Sequence, residues 1–307
     1  MPMVFHTVLF PLWNLEIWGG PRLDGVNLRR LDNYEEALQK VKKGQEAVTA
    51  IAEITLETSN LQKQHAVIEE ATLRLRPYLL LFTLAQGVWI DWTARYKVRA
   101  DGRVVFIDGH SAPPTRPHPS DLIWAPYQEE YVKQCAPLVS SSGFLEKTLF
   151  AIALSWRTQA NEQVFVETEV LFRYTALEAL SWGFVKHSYS GDPVKMASFT
   201  KSPEDKVRHF LNEIGLPLKE FFPHADELFE LRNHIVHRGM TYERSKRGPF
   251  AGEILALRGL LDCCFLTVLG YRGEYRDIRR RGEHRKFPEE IITDSVGNVR
   301  PPGGTAC

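Results

Sequence analysis

Cysteine is scarce and unpatterned in this chain. Its 307 residues hold four, Cys135, Cys263, Cys264 and Cys307, and none forms a C-x-x-C pair. That argues against a disulfide framework or a cysteine-held zinc site and fits a reducing cytosol. Net charge is missing as well, because 38 Lys and Arg balance 38 Asp and Glu. A global positive field toward nucleic acid is therefore excluded, and any such contact must come from a local patch. No uninterrupted apolar run reaches the roughly 18 residues needed to span a bilayer. Residues 4–13 are apolar, but the stretch is short, contains His6 and Pro11 and has no basic segment before it, which makes it a poor secretory signal. A phosphate-binding Gly-rich loop, a dinucleotide fingerprint and an H-E-x-x-H pair are all absent. The expectation is a cytosolic protein with no cofactor, no metal and no membrane partner.

With 44% hydrophobic and 25% charged residues, the composition is that of a globular protein, and the length suits one large or two modest domains. The first 140 residues mix periods. Residues 47–56 contain β-branched residues and read as a strand, and residues 62–84 carry Val67, Ile68, Ala71, Leu73, Leu75 and Leu79 at helical spacing. From Val88 to Val98 apolar and polar residues alternate, which predicts one half-buried strand. The turn Ala100-Asp101-Gly102 and a second strand over 103–108 complete a hairpin. Residues 113–119 read as a Pro-rich loop and 129–138 as a short helix.

Ser140-Ser141-Ser142-Gly143 is the best boundary. Beyond it the pattern is helical over 145–159 and 164–185, with 188–200 read as loop because of Gly191 and Pro193. Ser202 is placed to cap a helix that starts with Pro203 and ends before Gly215 and Pro217. Two more helices follow, over 225–238 and 251–269, with Gly239 as terminator of the first. The predicted fold is α+β overall: a small N-terminal α+β module over 1–140, an all-α bundle over 144–271, then a basic and finally Gly/Pro-rich tail over 272–307.

The densest chemistry lies in Arg-Asn-His-Ile-Val-His, residues 232–237. Asn233 and His237 are four apart and share a helix face, beside a core stripe of Leu228, Leu231 and Ile235. His takes or gives a proton near neutral pH. Arg holds a phosphate through two parallel hydrogen bonds. RNA supplies its own nucleophile, the 2′-OH, so these residue types suffice for phosphodiester cleavage. One motif offers one well-placed His where acid and base need two, a physical reason to expect a homodimer. His234 lies off the shared face and is the weaker second candidate.

Two long helices, a loop, a short helix, a helix carrying Arg232, Asn233 and His237 before Gly239, and a final apolar helix form an order that resembles the HEPN superfamily. Residues 144–271 are most similar to the Apea-like HEPN domains, with Glu178-Ala179-Leu180 in the second helix as support. The resemblance implies a metal-independent endoribonuclease with Arg232, Asn233 and His237 catalytic, two motif helices facing across a dimer cleft, RNA as partner, and a setting in prokaryotic toxin–antitoxin or anti-phage systems with an antitoxin or sensor protein. The family also contains inactive members that only bind, and the alternatives for this chain are a non-catalytic nucleic-acid- or nucleotide-binding adaptor and a protein-interaction module whose partner is recognised by the Trp-rich first half.

Other candidates are secondary. Glu178 is a supporting residue where it approaches the motif, and otherwise an exposed helical Glu. Arg238, Arg244, Lys246 and Arg247 follow the motif and extend a basic patch. The run containing Arg279, Arg280 and Arg281 reads either as an RNA-backbone surface or as a solvated helix extension. Trp92 falls on the apolar side of its predicted strand and Trp89 on the polar side. Asp108-Gly109-His110-Ser111 reads as a turn.

Overall fold

Val8, Phe10 and Leu12 are fully buried and alternate with half-buried neighbours along β1 (Val4–Trp13), the period-2 signature of a strand with one face on a core. The computed structural model describes residues 4–17, 22–43, 45, 47–58, 64–99, 101–109, 121–199, 202–222, 226–238 and 251–288. Two compact units divide the chain, residues 1–140 and 141–307, at the Ser-rich boundary. The protein is mixed α+β.

In the first unit β1 lies centrally in an antiparallel sheet of order β2-β3-β4-β1-β5-β6. The other strands are β2 (Arg22–Leu23), β3 (Val26–Arg30), β4 (Val48–Thr58), β5 (Ala94–Val98) and β6 (Val104–Gly109). Val8 pairs with Ile54 on one side and Lys97 on the other. Ala50, Ala52, Ile54 and Leu56 bury the same face of β4 as Val8, Phe10 and Leu12 bury of β1. Helices α1 (Tyr34–Lys42) and α2 (Gln64–Gln86) pack on β4, and α3 (Gln128–Val139) packs on α2. The expected strand over 88–98 is shorter than its alternation suggests. Gly87 turns the chain at φ +70°, and Trp92 makes only an isolated bridge to Leu12 before β5 begins. Trp92 is half-buried under the Arg95 guanidinium, 4.9 Å from the ring centroid, so local packing accounts for it. Arg95 is pinned by Glu69 at 2.7 Å and by Asp108. Asp108 and Gly109 end β6, whereas His110, Ser111 and the Pro-rich 113–119 lie outside the described residues.

The second unit is mainly helical: α4 (Phe144–Thr148), α5 (Phe150–Asn161), α6 (Val166–Ser188), α7 (Pro193–Phe199), α8 (Pro203–Glu213), α9 (Glu227–Arg238) and α10 (Ala251–Val268). The predicted helix over 145–159 is two helices, broken at Leu149, which adopts φ +51°. The break lies against α6: a Cβ on Gly183 would stand 2.5 Å from the Thr148 carbonyl, so only glycine permits this approach. The span expected as loop contains α7, started by Asp192, whose carboxylate accepts from the backbone N–H groups of Val194 and Lys195. Ser202 caps α8 as its sequence suggests, its hydroxyl accepting from Glu204 N–H at 3.1 Å.

A buried polar network ties α5, α6 and α10. Glu169 accepts from Arg173 at 2.8 Å and Arg258 at 2.6 Å, Arg173 also donates to Asn161, and Arg157 donates to Asp262 at 2.7 Å. Burial pushes the Glu169 carboxyl up, but Arg258 and Arg173 outweigh it and hold it below the usual range.

The basic segment after α10 is neither a helix extension nor, over 273–287, a tail. It folds as a hairpin of β7 (Gly273–Asp277) and β8 (Glu283–Phe287), so this unit is not all-α. Tyr275 and Asp277 are buried two apart, the spacing of a strand and not of a helix. Asp277 accepts from Arg279 at 2.8 Å and Arg285 at 3.4 Å, and the Arg279 guanidinium also stacks on Phe221 and donates to the Glu220 carbonyl.

Candidate functional site

Helix α9 carries the motif in the register its sequence predicts. Leu228, Phe229, Leu231 and Ile235 are buried, Arg232 and His234 are half-buried, and Asn233 and His237 are exposed. The polar face therefore borders the core without entering it. The Arg232 Nη1 donates to Asn233 Oδ1 at 3.2 Å, which ties the guanidinium to the residue one turn before His237.

Glu178 approaches the motif from α6. Its Oε1 stands 4.0 Å from Arg232 Nη2, and the two side chains are 30% and 28% exposed, so this is a sheltered pair still open to solvent. That Oε1 is buried without a hydrogen bond among the described residues. Burial pushes the Glu178 carboxyl above the usual range, with Arg232 and Lys206 pulling part of the way back. One turn earlier, Tyr174 lies beneath Arg232, whose guanidinium carbon is 5.8 Å from the ring centroid. Tyr174 is 3% exposed and packs edge-on against Phe229 of α9. Burial and the nearby Glu178 push its hydroxyl far up. Arg208 of α8 braces the start of α9, bonding Glu204 at 2.8 Å and Asp226 at 2.5 Å and stacking on Phe229.

The structure thus brings Arg232, Asn233 and Glu178 together and leaves His237 accessible on the same helix. Arg280 and Arg281 are exposed on the turn between β7 and β8, while Arg279 is held inward by Asp277. Arg244, Lys246 and Arg247, and the side chain of Arg238, lie outside the described residues. Tyr174 and Lys206 escaped the sequence reading. The signal for Tyr174 was its position four residues before Glu178, one turn along the same face. Lys206 had none, because only the packing of α8 on α6 brings it near.

Chemically, Arg232 can hold a phosphate oxygen, and an imidazole such as that of His237 can move a proton. Among the described residues no helix is long and apolar enough to cross a membrane. The chain matches no curated protein and no solved structure. Residues 145–287 match the family described as the YopA C-terminal domain, a span that runs from α4 through the last strand and includes the hairpin.

Proposed function

We propose that the protein is a metal-independent endoribonuclease of the HEPN kind, most like the Apea-like domains, acting as a homodimer in the cytosol of a prokaryote. The observation that carries this reading is the grouping on α9: Arg232 tied to Asn233 and facing Glu178, with His237 exposed on the same helix. In the reaction, the 2′-oxygen loses its proton to a base and attacks phosphorus. The bond from phosphorus to the 5′-oxygen breaks, and an acid returns a proton to that oxygen. The products are a 2′,3′-cyclic phosphate and a 5′-hydroxyl. Arg232 neutralises the non-bridging oxygens as charge builds. His237 of one copy serves as base and His237 of the second as acid. Glu178 and Tyr174 hold the guanidinium in place. A defence or toxin role, restrained by an antitoxin or sensor partner, follows from the resemblance.

The test is end-group analysis of RNA exposed to the full chain. Cyclic phosphate and 5′-hydroxyl ends are expected. Products with 3′-hydroxyl ends would overturn the 2′-OH route, and intact RNA from folded dimer would overturn the nuclease itself.

A further inference from the structure

The face of α6 that meets the motif continues past it. Tyr174, Glu178 and Trp182 recur every fourth residue and form one stripe, about 12 Å long at 1.5 Å per residue. Arg232 of α9 attends its first part, through Tyr174 and Glu178. Lys206 of α8 attends its far end, with Nζ 4.6 Å from the Trp182 ring centroid. Lys206 and Trp182 are both half-buried, so each keeps surface open to solvent. Both cations act on the Glu178 carboxyl that lies between them. Two cations from two helices therefore line one stripe, with an aromatic face at the end away from the motif.

The proposed cleavage uses neither Lys206 nor Trp182. A basic track beside an aromatic face is how proteins hold single-stranded nucleic acid: cations follow the phosphates and bases stack on the ring. A duplex keeps its bases stacked inside and offers nothing to an indole. We propose that Lys206 and Trp182 form a subsite for the nucleotide next to the scissile one, which makes single-stranded RNA the substrate. Lys206 leaves the Trp182 ring to pair with the neighbouring phosphate, and the base of that nucleotide takes its place on the indole. This rests on the nuclease reading, which sets the scissile phosphate at Arg232.

The experiment uses the full chain carrying His237→Ala, so that binding is measured without cleavage. Fluorescence anisotropy compares a labelled single-stranded oligoribonucleotide with the same strand in a duplex. The single strand should bind about tenfold tighter. Lys206→Ala should weaken it roughly five- to tenfold and flatten its salt dependence by about one phosphate contact, and Lys206→Arg should restore most of both. Trp182→Ala should weaken it comparably. If that variant loses its helical circular dichroism, the Lys206 pair decides. Equal affinity for strand and duplex, or single-strand binding untouched by Lys206→Ala, would overturn the subsite. The two readings separate cleanly. Cleavage by wild type with unchanged binding by Lys206→Ala removes the subsite alone. Lys206-dependent binding without cleavage by wild type removes the nuclease alone.

Discussion

In the proposed cleavage, Arg232 contributes through position more than through charge. Its guanidinium is tied to Asn233, stands over Tyr174 and faces a carboxylate it does not fully engage. A phosphate entering there meets a preorganised donor, and loss of such a charged hydrogen bond costs about 1.5–3 kcal/mol. Arg232→Ala should therefore lower kcat/KM by roughly ten- to a hundredfold or more, and Arg232→Lys should recover little, since an ammonium cannot reproduce the planar fork. Single-turnover RNA cleavage measures both. Equal rates for the Lys variant and wild type would show that a point charge is enough. That Arg232, Asn233 and His237 lie on one helix, beside its core stripe, was legible from residue type and spacing alone. The proximity of Glu178 was legible only as an option, because the separation of α6 and α9 depends on packing between residues some fifty positions apart.

Among the elements, boundaries set by local side chain–backbone bonds were the most readable. Ser202 before Pro203 announces α8, and Ser202→Ala should lower stability by about 1 kcal/mol in chemical denaturation, with little effect on α9. The same logic would have found α7, since Asp192 before Pro193 is also a cap followed by a first-turn proline. There Gly191 and Pro193 were read as breakers, although proline is welcome at a helix start. The hairpin β7–β8 was hidden by its charges. Seven basic residues between Arg272 and Lys286 suggest a solvated segment, yet Asp277 gathers Arg279 and Arg285 and buries Tyr275 beside them. Burial alone would raise the Asp277 carboxyl, but Arg279 and then Arg285 hold it below its ordinary 3.8. A carboxyl lowered in the folded state adds stability above its unfolded value and loses it as pH falls through the folded one. The second unit should therefore lose stability below about pH 4, and Asp277→Asn should blunt that acid limb while lowering stability at neutral pH. Thermal melts across pH 2–7 would show it, and an unchanged acid limb would count against the clamp.

Across the whole molecule, the division at Ser140–Gly143 was visible in composition, and the mixed α+β class in the change of period. The central place of β1 was not. Residues 4–13 were set aside as a poor secretory signal and assigned no element, because a strand buried on one face between two partners differs little from any short apolar run until its partners are known. The dimer proposed for catalysis makes a claim on activity at this scale. Where each site needs His237 from both copies, His237→Ala exchanged into wild type should depress activity beyond simple dilution, with mixed dimers inactive. Where each copy works alone, total activity should stay constant however much variant is added. Titration of the variant into a fixed amount of wild type, after subunit exchange, distinguishes the two.

The most direct measurement is cleavage of a mixed RNA pool in excess EDTA by wild type beside His237→Ala. The account predicts cleavage by wild type that EDTA does not diminish, and none by the variant at equal fold and concentration. Cleavage that EDTA abolishes, or that His237→Ala retains, would contradict it.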